Sequence, residues 1–176
     1  MLAVTAAVVI GLVSACSSVA GTPRAEPEQR VNAVAPSTET APQATVEDFA
    51  AVVAEHHAEW NDQVETTESD CLDPNLVVAC GAGYLTLGMQ GDIIRLSLSA
   101  LHKPDAPAYI GVPPEEIKDL LAETESAGEA VSLAADDLSS AGCLDPMDAA
   151  CVTQLLALEM AIDELSGKLD AWAVYS

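Results

Sequence analysis

The tetrapeptide Cys71-Leu72-Asp73-Pro74 recurs as Cys143-Leu144-Asp145-Pro146, and each copy is followed by an Ala-Cys pair, Ala79-Cys80 and Ala150-Cys151. Behind the first copy, Cys80, Tyr84, Leu87, Gly91, Ile94, Leu98 and Leu101 alternate in steps of four and three. Behind the second, Cys151, Leu155, Leu158, Ile162, Leu165, Leu169 and Trp172 do the same, position for position. With 3.6 residues per turn, such steps keep side chains on one stripe of an α-helix. The segments ahead of the two copies carry matching stripes: Val46, Phe49, Val53, His56, Trp60, Val64 and Thr67, then Ile117, Leu120, Thr124, Ala127, Val131, Ala134 and Leu138. A chain of this pattern folds as two related helical hairpins, each with a Cys pair at its turn. Packing them together buries all four stripes. The expected fold is therefore all-α, an antiparallel four-helix bundle with both Cys-bearing turns at one end. Helices exchanged between two chains in a swapped dimer carry the same signature.

Local signals place the ends of these helices. Thr45-Val46-Glu47-Asp48 reads as an N-cap with an acidic third position,. Asp73-Pro74 and Asp145-Pro146 read as N-cap and first-turn proline of helices two and four, and Pro113-Pro114 as the opening of helix three. The stretch from His102 to Val112, with Pro104, Pro107 and Gly111, is the one long connection.

Half of the 176 residues are apolar but only 3% are aromatic, so the core is built from Leu, Val, Ile and Ala, which suits close-packed helices,. Twenty-eight acidic residues against six basic ones give a formal charge of -22. That balance argues against nucleic acid as a partner, because phosphate binding requires Lys and Arg. It equally disfavours direct docking on anionic lipid. Basic partner surfaces and cationic ligands are compatible with it, as is plain solubility.

Residues 2–13 are uncharged and mostly apolar, a run too short for a spanning helix and of signal-peptide length,. The run ends in Val13-Ser14-Ala15-Cys16. This resembles the lipobox of bacterial lipoproteins, an aliphatic residue and two small ones before Cys. No basic residue precedes the run, where that family usually has one. The resemblance implies a signal peptide over residues 1–15, and Cys16 diacylated on sulfur as the mature N-terminus. It also implies anchoring on the extracytoplasmic face of the cell membrane, since two acyl chains hold a protein there stably. With its Ala-rich, acidic composition, the chain resembles small lipoproteins of high-GC actinobacteria. Residues 16–44, rich in Ala, Pro, Thr, Ser and Glu, read as the lipidated Cys and a flexible tether,. Residues 45–176 are then the bundle domain.

An even number of cysteines after Cys16, in an exported domain, argues for disulfides. Four cysteines permit three pairings, of which Cys71–Cys80 and Cys143–Cys151 follow from the repeat. Each closes a short loop at a hairpin turn, a constraint worth on the order of 2–3 kcal/mol. The Cys-x-x-Cys spacings of zinc and redox sites do not occur,.

Other sites are weaker. His56 and Glu59 share a helix face at a spacing that suits a metal ion, but they make half a site, and the Glu-x-x-His motif of di-iron bundles does not occur,. His56 is thus expected at the core and His57 at its edge. Asp136-Asp137 reads as surface charge rather than a Ca²⁺ loop. No nucleophile, phosphate-loop or dinucleotide motif occurs, so neither catalysis nor a cofactor is expected. Helix two stands apart. It is uncharged from Pro74 to Gly91 and apolar on several faces, with four glycines that admit close backbone approach,. Either it lies deepest in the bundle, or Tyr84, Leu85, Gly88 and Met89 belong to a second interface, for an envelope protein, a copy of the chain or an apolar ligand. The expected function is a membrane-anchored, non-catalytic interaction module. A carrier holding a small apolar ligand between the helices comes second, and a metal protein or enzyme well behind. Peptide mapping of the exported protein under non-reducing conditions is expected to recover the Cys71–Cys80 and Cys143–Cys151 peptides; four free thiols would remove the argument from export.

Overall fold

Thr45 starts the first helix through a capping box. Its hydroxyl accepts the Asp48 backbone N–H at 3.2 Å, and the Asp48 carboxylate accepts the Thr45 N–H at 2.9 Å. Two amides at the chain's entry into the helix are thereby satisfied. The negative charge of Asp48 is favoured by these bonds, the Thr45 backbone bond foremost, which hold its carboxyl below the ordinary value. In the computed structural model, which describes residues 43–143 and 151–176, α1 runs Val46–Leu72, α2 Val77–His102, α3 Lys118–Ser140 and α4 Val152–Ala171. Single 3-10 turns, Glu115–Ile117 and Trp172–Tyr175, precede α3 and follow α4. Packing begins ahead of Thr45: Ala44 is buried, and Gln43 forms an isolated bridge with Val112 in the connection from α2 to α3. The signal segment, Cys16 and the tether up to residue 42 lie outside the described residues.

The four helices form an antiparallel bundle, each against its neighbours in sequence, with α4 returning to α1. Both disulfides are present at one end of it. Cys71 in the last turn of α1 bonds Cys80 in the first turns of α2, with Cα atoms 4.7 Å apart, and Cys143 bonds Cys151 with Cα atoms 5.4 Å apart. One of the expected caps is not used as such. Asp73 does not cap α2, which starts four residues later from an uncapped Leu76. The Asp73 carbonyl instead accepts the Leu76 N–H at 2.9 Å, and its carboxylate accepts both the backbone N–H and the side-chain amide of Asn75. Asp73-Pro74 therefore makes a β-turn reinforced by an Asx bond, because Pro74 supplies the fixed φ that a turn needs at its second position. α4 begins at Val152 with Cys151 as its N-cap; Asp145 and Pro146 themselves lie outside the described residues.

The end of α3 is closed by Gly142. Its φ of 71° lets the Cys143 N–H reach the Leu138 carbonyl at 3.2 Å and its own N–H reach the Ser139 carbonyl at 3.0 Å. That is a Schellman motif, and it aims Cys143 back toward α4.

The stripes of all four helices are buried or half-buried at every named position. On α3 the buried face is wider than the stripe, with Leu121 and Ala135 buried beside the half-buried Leu120 and Ala134. The two tryptophans are fully buried and hydrogen-bond between helices. Trp60 on α1 donates its indole N–H to Ser166 Oγ on α4 at 2.8 Å, and Trp172 donates to Thr124 Oγ1 on α3 at 3.0 Å. Each hydroxyl in turn donates to a carbonyl of its own helix, so no polar atom of either pair is stranded,.

The most extensive pairing is α2 with α3, and glycine permits it. A Cβ on Gly91 would stand 2.8 Å from the Gly128 carbonyl oxygen, and a Cβ on Gly128 would stand 2.6 Å from that of Gly91. The two backbones meet there without an intervening side chain. Gly91→Ala is expected to destabilise the domain by about 1–3 kcal/mol through backbone displacement, although Ala is intrinsically the better helix former. Gly167→Ala on α4, where an added Cβ meets nothing within 4 Å, is the control and is expected to stabilise by about 0.5–1 kcal/mol,. Denaturant unfolding of the two variants checks both signs.

Candidate functional site

Drawing α3 against α2 has a consequence on the adjoining outer face of α2. Met89 is 67% exposed, Ile93 53% and Leu96 50%, and the half-buried Leu85 continues the row. Their steps of four, four and three place them on one helical line. Between this line and α3 runs an open groove of about 380 Å³. Leu85, Met89 and Ile93 form its apolar side, and Gly88, Ser132 and Ala135 its shallow floor. Asp92 and the exposed Asp136 stand at its edge.

Of the four residues that the sequence grouped as a second interface, three come together here. Leu85 and Met89 line the groove. Gly88 lies beneath them, so close to α3 that a Cβ on it would meet the Ala135 Cβ at 2.4 Å. Tyr84 does not join them. It sits on the core stripe with Leu87 and Gly91 and is buried. Helix two is thus both things that were weighed against each other: a core helix along its glycine and aliphatic stripe, and an exposed apolar face along Met89, Ile93 and Leu96. By length and composition it is also apolar enough to cross a membrane, with 44% of its most apolar window buried in the bundle. Ile93 was legible as the residue four beyond Met89. Ser132, Ala135 and Asp136 carry no local signal, because only the packing of α3 brings them to the groove.

Arg95 is the one basic residue near this face among the described residues. Its guanidinium donates to Asp92 at 2.6 Å and 3.1 Å, which raises its pKa, with Glu129 and Glu125 adding to the effect. The local charge around the groove is therefore negative despite Arg95.

Tyr84 faces the other way, into a hollow of about 180 Å³ between α1, α2 and α4. Val64, Leu87 and Ile162 line it, and Glu68, Glu159 and Asp163 surround it. The Tyr84 hydroxyl donates to Glu159 Oε1 at 3.1 Å. Burial, then the neighbouring Glu159 and Glu68 carboxylates, push the phenol up to about 12. The hollow is small and acidic at its rim, which does not match an apolar ligand.

His56 is half-buried and meets the exposed Glu59 together with Gln90, Ile93 and Ile94 around a dent of about 100 Å³. No group of three or more His, Cys, Asp or Glu side chains among the described residues is arranged to hold a metal ion. His57 points toward α4, with Nε2 3.0 Å from Asp170 Oδ1 but not turned into hydrogen-bond geometry. At the far end of the bundle His102 on α2 meets Glu125 on α3 at 2.8 Å. Asp136 and Asp137 are exposed, and Asp136 belongs to the edge of the groove.

The Tyr84 contact has a measurable signature. Folding holds this phenolic proton more tightly than the ordinary value of 10.0, so its contribution to stability is full below pH 10 and is lost as pH rises toward 12,. In an ultraviolet titration of the folded protein, tyrosinate absorbance is expected to include a component rising well above pH 10, and Tyr84→Phe to remove it. An absorbance change above pH 10 that Tyr84→Phe leaves untouched would contradict the buried contact with Glu159. No protein-family model, curated protein or solved structure matches the chain.

Proposed function

We propose that this chain is a lipoprotein of the bacterial cell envelope, held on the extracytoplasmic face of the membrane by acyl chains on Cys16, and that its helical domain is a non-catalytic interaction module. The single observation that carries the interaction reading is the exposed apolar row Met89, Ile93 and Leu96 on a helix whose other side is the core. Isolated apolar residues are ordinary on a protein surface, but a contiguous row beside a groove marks a contact face. Two disulfides in one small domain support export to an oxidising compartment,. The lipobox resemblance and the tether supply the anchor and its reach. The carrier reading is weaker, because the groove between α2 and α3 opens along the surface and the hollow between α1, α2 and α4 is small and acidic.

Intact mass of the protein from its host is expected to show loss of residues 1–15 and a diacylglyceryl Cys16, and Cys16→Ser to release the protein into the medium. A photo-crosslinker at position 89 or 93 in intact cells is expected to give one discrete protein adduct, absent when it is placed at the exposed position 170. Unlipidated protein retained at the membrane would contradict the anchor. Cells in which no position of the domain yields an adduct would contradict the module.

A further inference from the structure

The groove between α2 and α3 has a shape and a charge that together select a partner. Its apolar side, Leu85 to Ile93, extends about 12 Å along α2, just over two helical turns,. Its floor is shallow because Gly88 meets Ala135 there, so an occupant lies along it rather than entering it. An unbranched Met at the centre adapts to varied apolar side chains,. The edge carries the exposed Asp136 on α3 and, on α2, Asp92 in its ion pair with Arg95, with Glu125 and Glu129 near that guanidinium, so that carboxylates outnumber the one cation. A second copy of this chain would bring the same acidic edge and a formal charge of -22 against it, and like charges brought face to face oppose association.

We infer that the groove binds a basic amphipathic helix of another protein, its apolar side chains laid against Leu85, Met89 and Ile93 and its Lys or Arg residues over Asp136, across the groove from the Asp92–Arg95 pair. An amphipathic helix reads such a groove through anchors at i, i+4 and i+7 or i+8, the spacing that Leu85, Met89 and Ile93 themselves present. The acidic edge steers a basic helix to the face and favours it over an acidic one. The inference rests on the interaction-module reading and narrows it to one face and one partner chemistry.

The test uses the full mature chain and a synthetic peptide of about four helical turns, with Leu and Ile on one face and Lys and Arg on the other. A scrambled peptide of identical composition serves as its control. The ordered peptide is expected to bind at least about tenfold more tightly than the scrambled one, and Met89→Asp or Ile93→Asp to weaken it by about tenfold or more with unchanged thermal unfolding. Met89→Asp makes the protein more acidic, so weaker binding of a basic peptide isolates the apolar contact from general charge attraction. Asp136→Lys is expected to weaken it further at low salt than at high salt. Equal binding of both peptides, or indifference to Met89→Asp, would overturn the inference. So would self-association, or binding to zwitterionic vesicles, that Met89→Asp abolishes, since either gives the face another occupant. Peptide binding that appears only when residues 17–42 are replaced by Gly and Ser would assign the groove to the chain's own tether. If the peptide fails while crosslinking in cells yields an adduct from another face, the interaction module stands and only this groove is wrong.

Discussion

The backbone contact between Gly91 and Gly128 governs how this bundle is put together. Where side chains separate two helices, axes stand roughly 8–10 Å apart. Here each glycine faces the other's carbonyl oxygen at a distance that leaves no room for a Cβ. The contact fixes the register of α2 on α3, and the next turn repeats it with Gly88 against Ala135. Gly83 makes the equivalent approach to Thr67 on α1. Helix α2 is thereby held between two neighbours through its small residues, and its longer apolar side chains divide between the core and the outside. The exposed row at Met89, Ile93 and Leu96 follows from that division, because a helix that packs closely on two sides still has a third.

The disulfides and the tryptophans complete the closure in different ways. Cys71–Cys80 and Cys143–Cys151 join helices consecutive in sequence at one end. Trp60 joins the first and last helices of the bundle and Trp172 ties the end of α4 to α3, each through a hydroxyl that is itself bonded to its own helix. Ion pairs add little tying of this kind. Lys168–Glu123 links α4 to α3 at 2.8 Å, while Arg95–Asp92 and Lys118–Glu115 are local pairs three residues apart. With six basic residues in the chain, most carboxylates face water and keep the surface acidic.

The helices and the cysteine pairing were legible because both depend on spacing, and spacing is written along the chain. The capping box at Thr45 was legible for the same reason. Asp73-Pro74 was misread because the same two residue types that begin a helix also make a turn, and the difference is decided two residues after Asp73, where Asn75 competes for the carboxylate. The burial of Leu121 and Ala135 beside the α3 stripe was invisible, since a single line of positions does not describe the full width of the face a helix turns to two neighbours. The groove was half visible. Leu85, Gly88 and Met89 stood out as an apolar excess on an uncharged helix, but Asp136 and Ala135 reach it only through the α2–α3 contact. Tyr84 was grouped with them on adjacency, whereas its position on the core stripe carries it to the other side.

Backbone amide hydrogen exchange, resolved by residue in the folded domain, tests the central contact most directly. If α2 and α3 are held together through their glycines, the amides of residues 87–98 on α2 and 127–135 on α3 exchange slowest in the molecule and only by global unfolding. Faster exchange there than in α1 and α4, through local opening, would contradict the close contact and with it the origin of the exposed face.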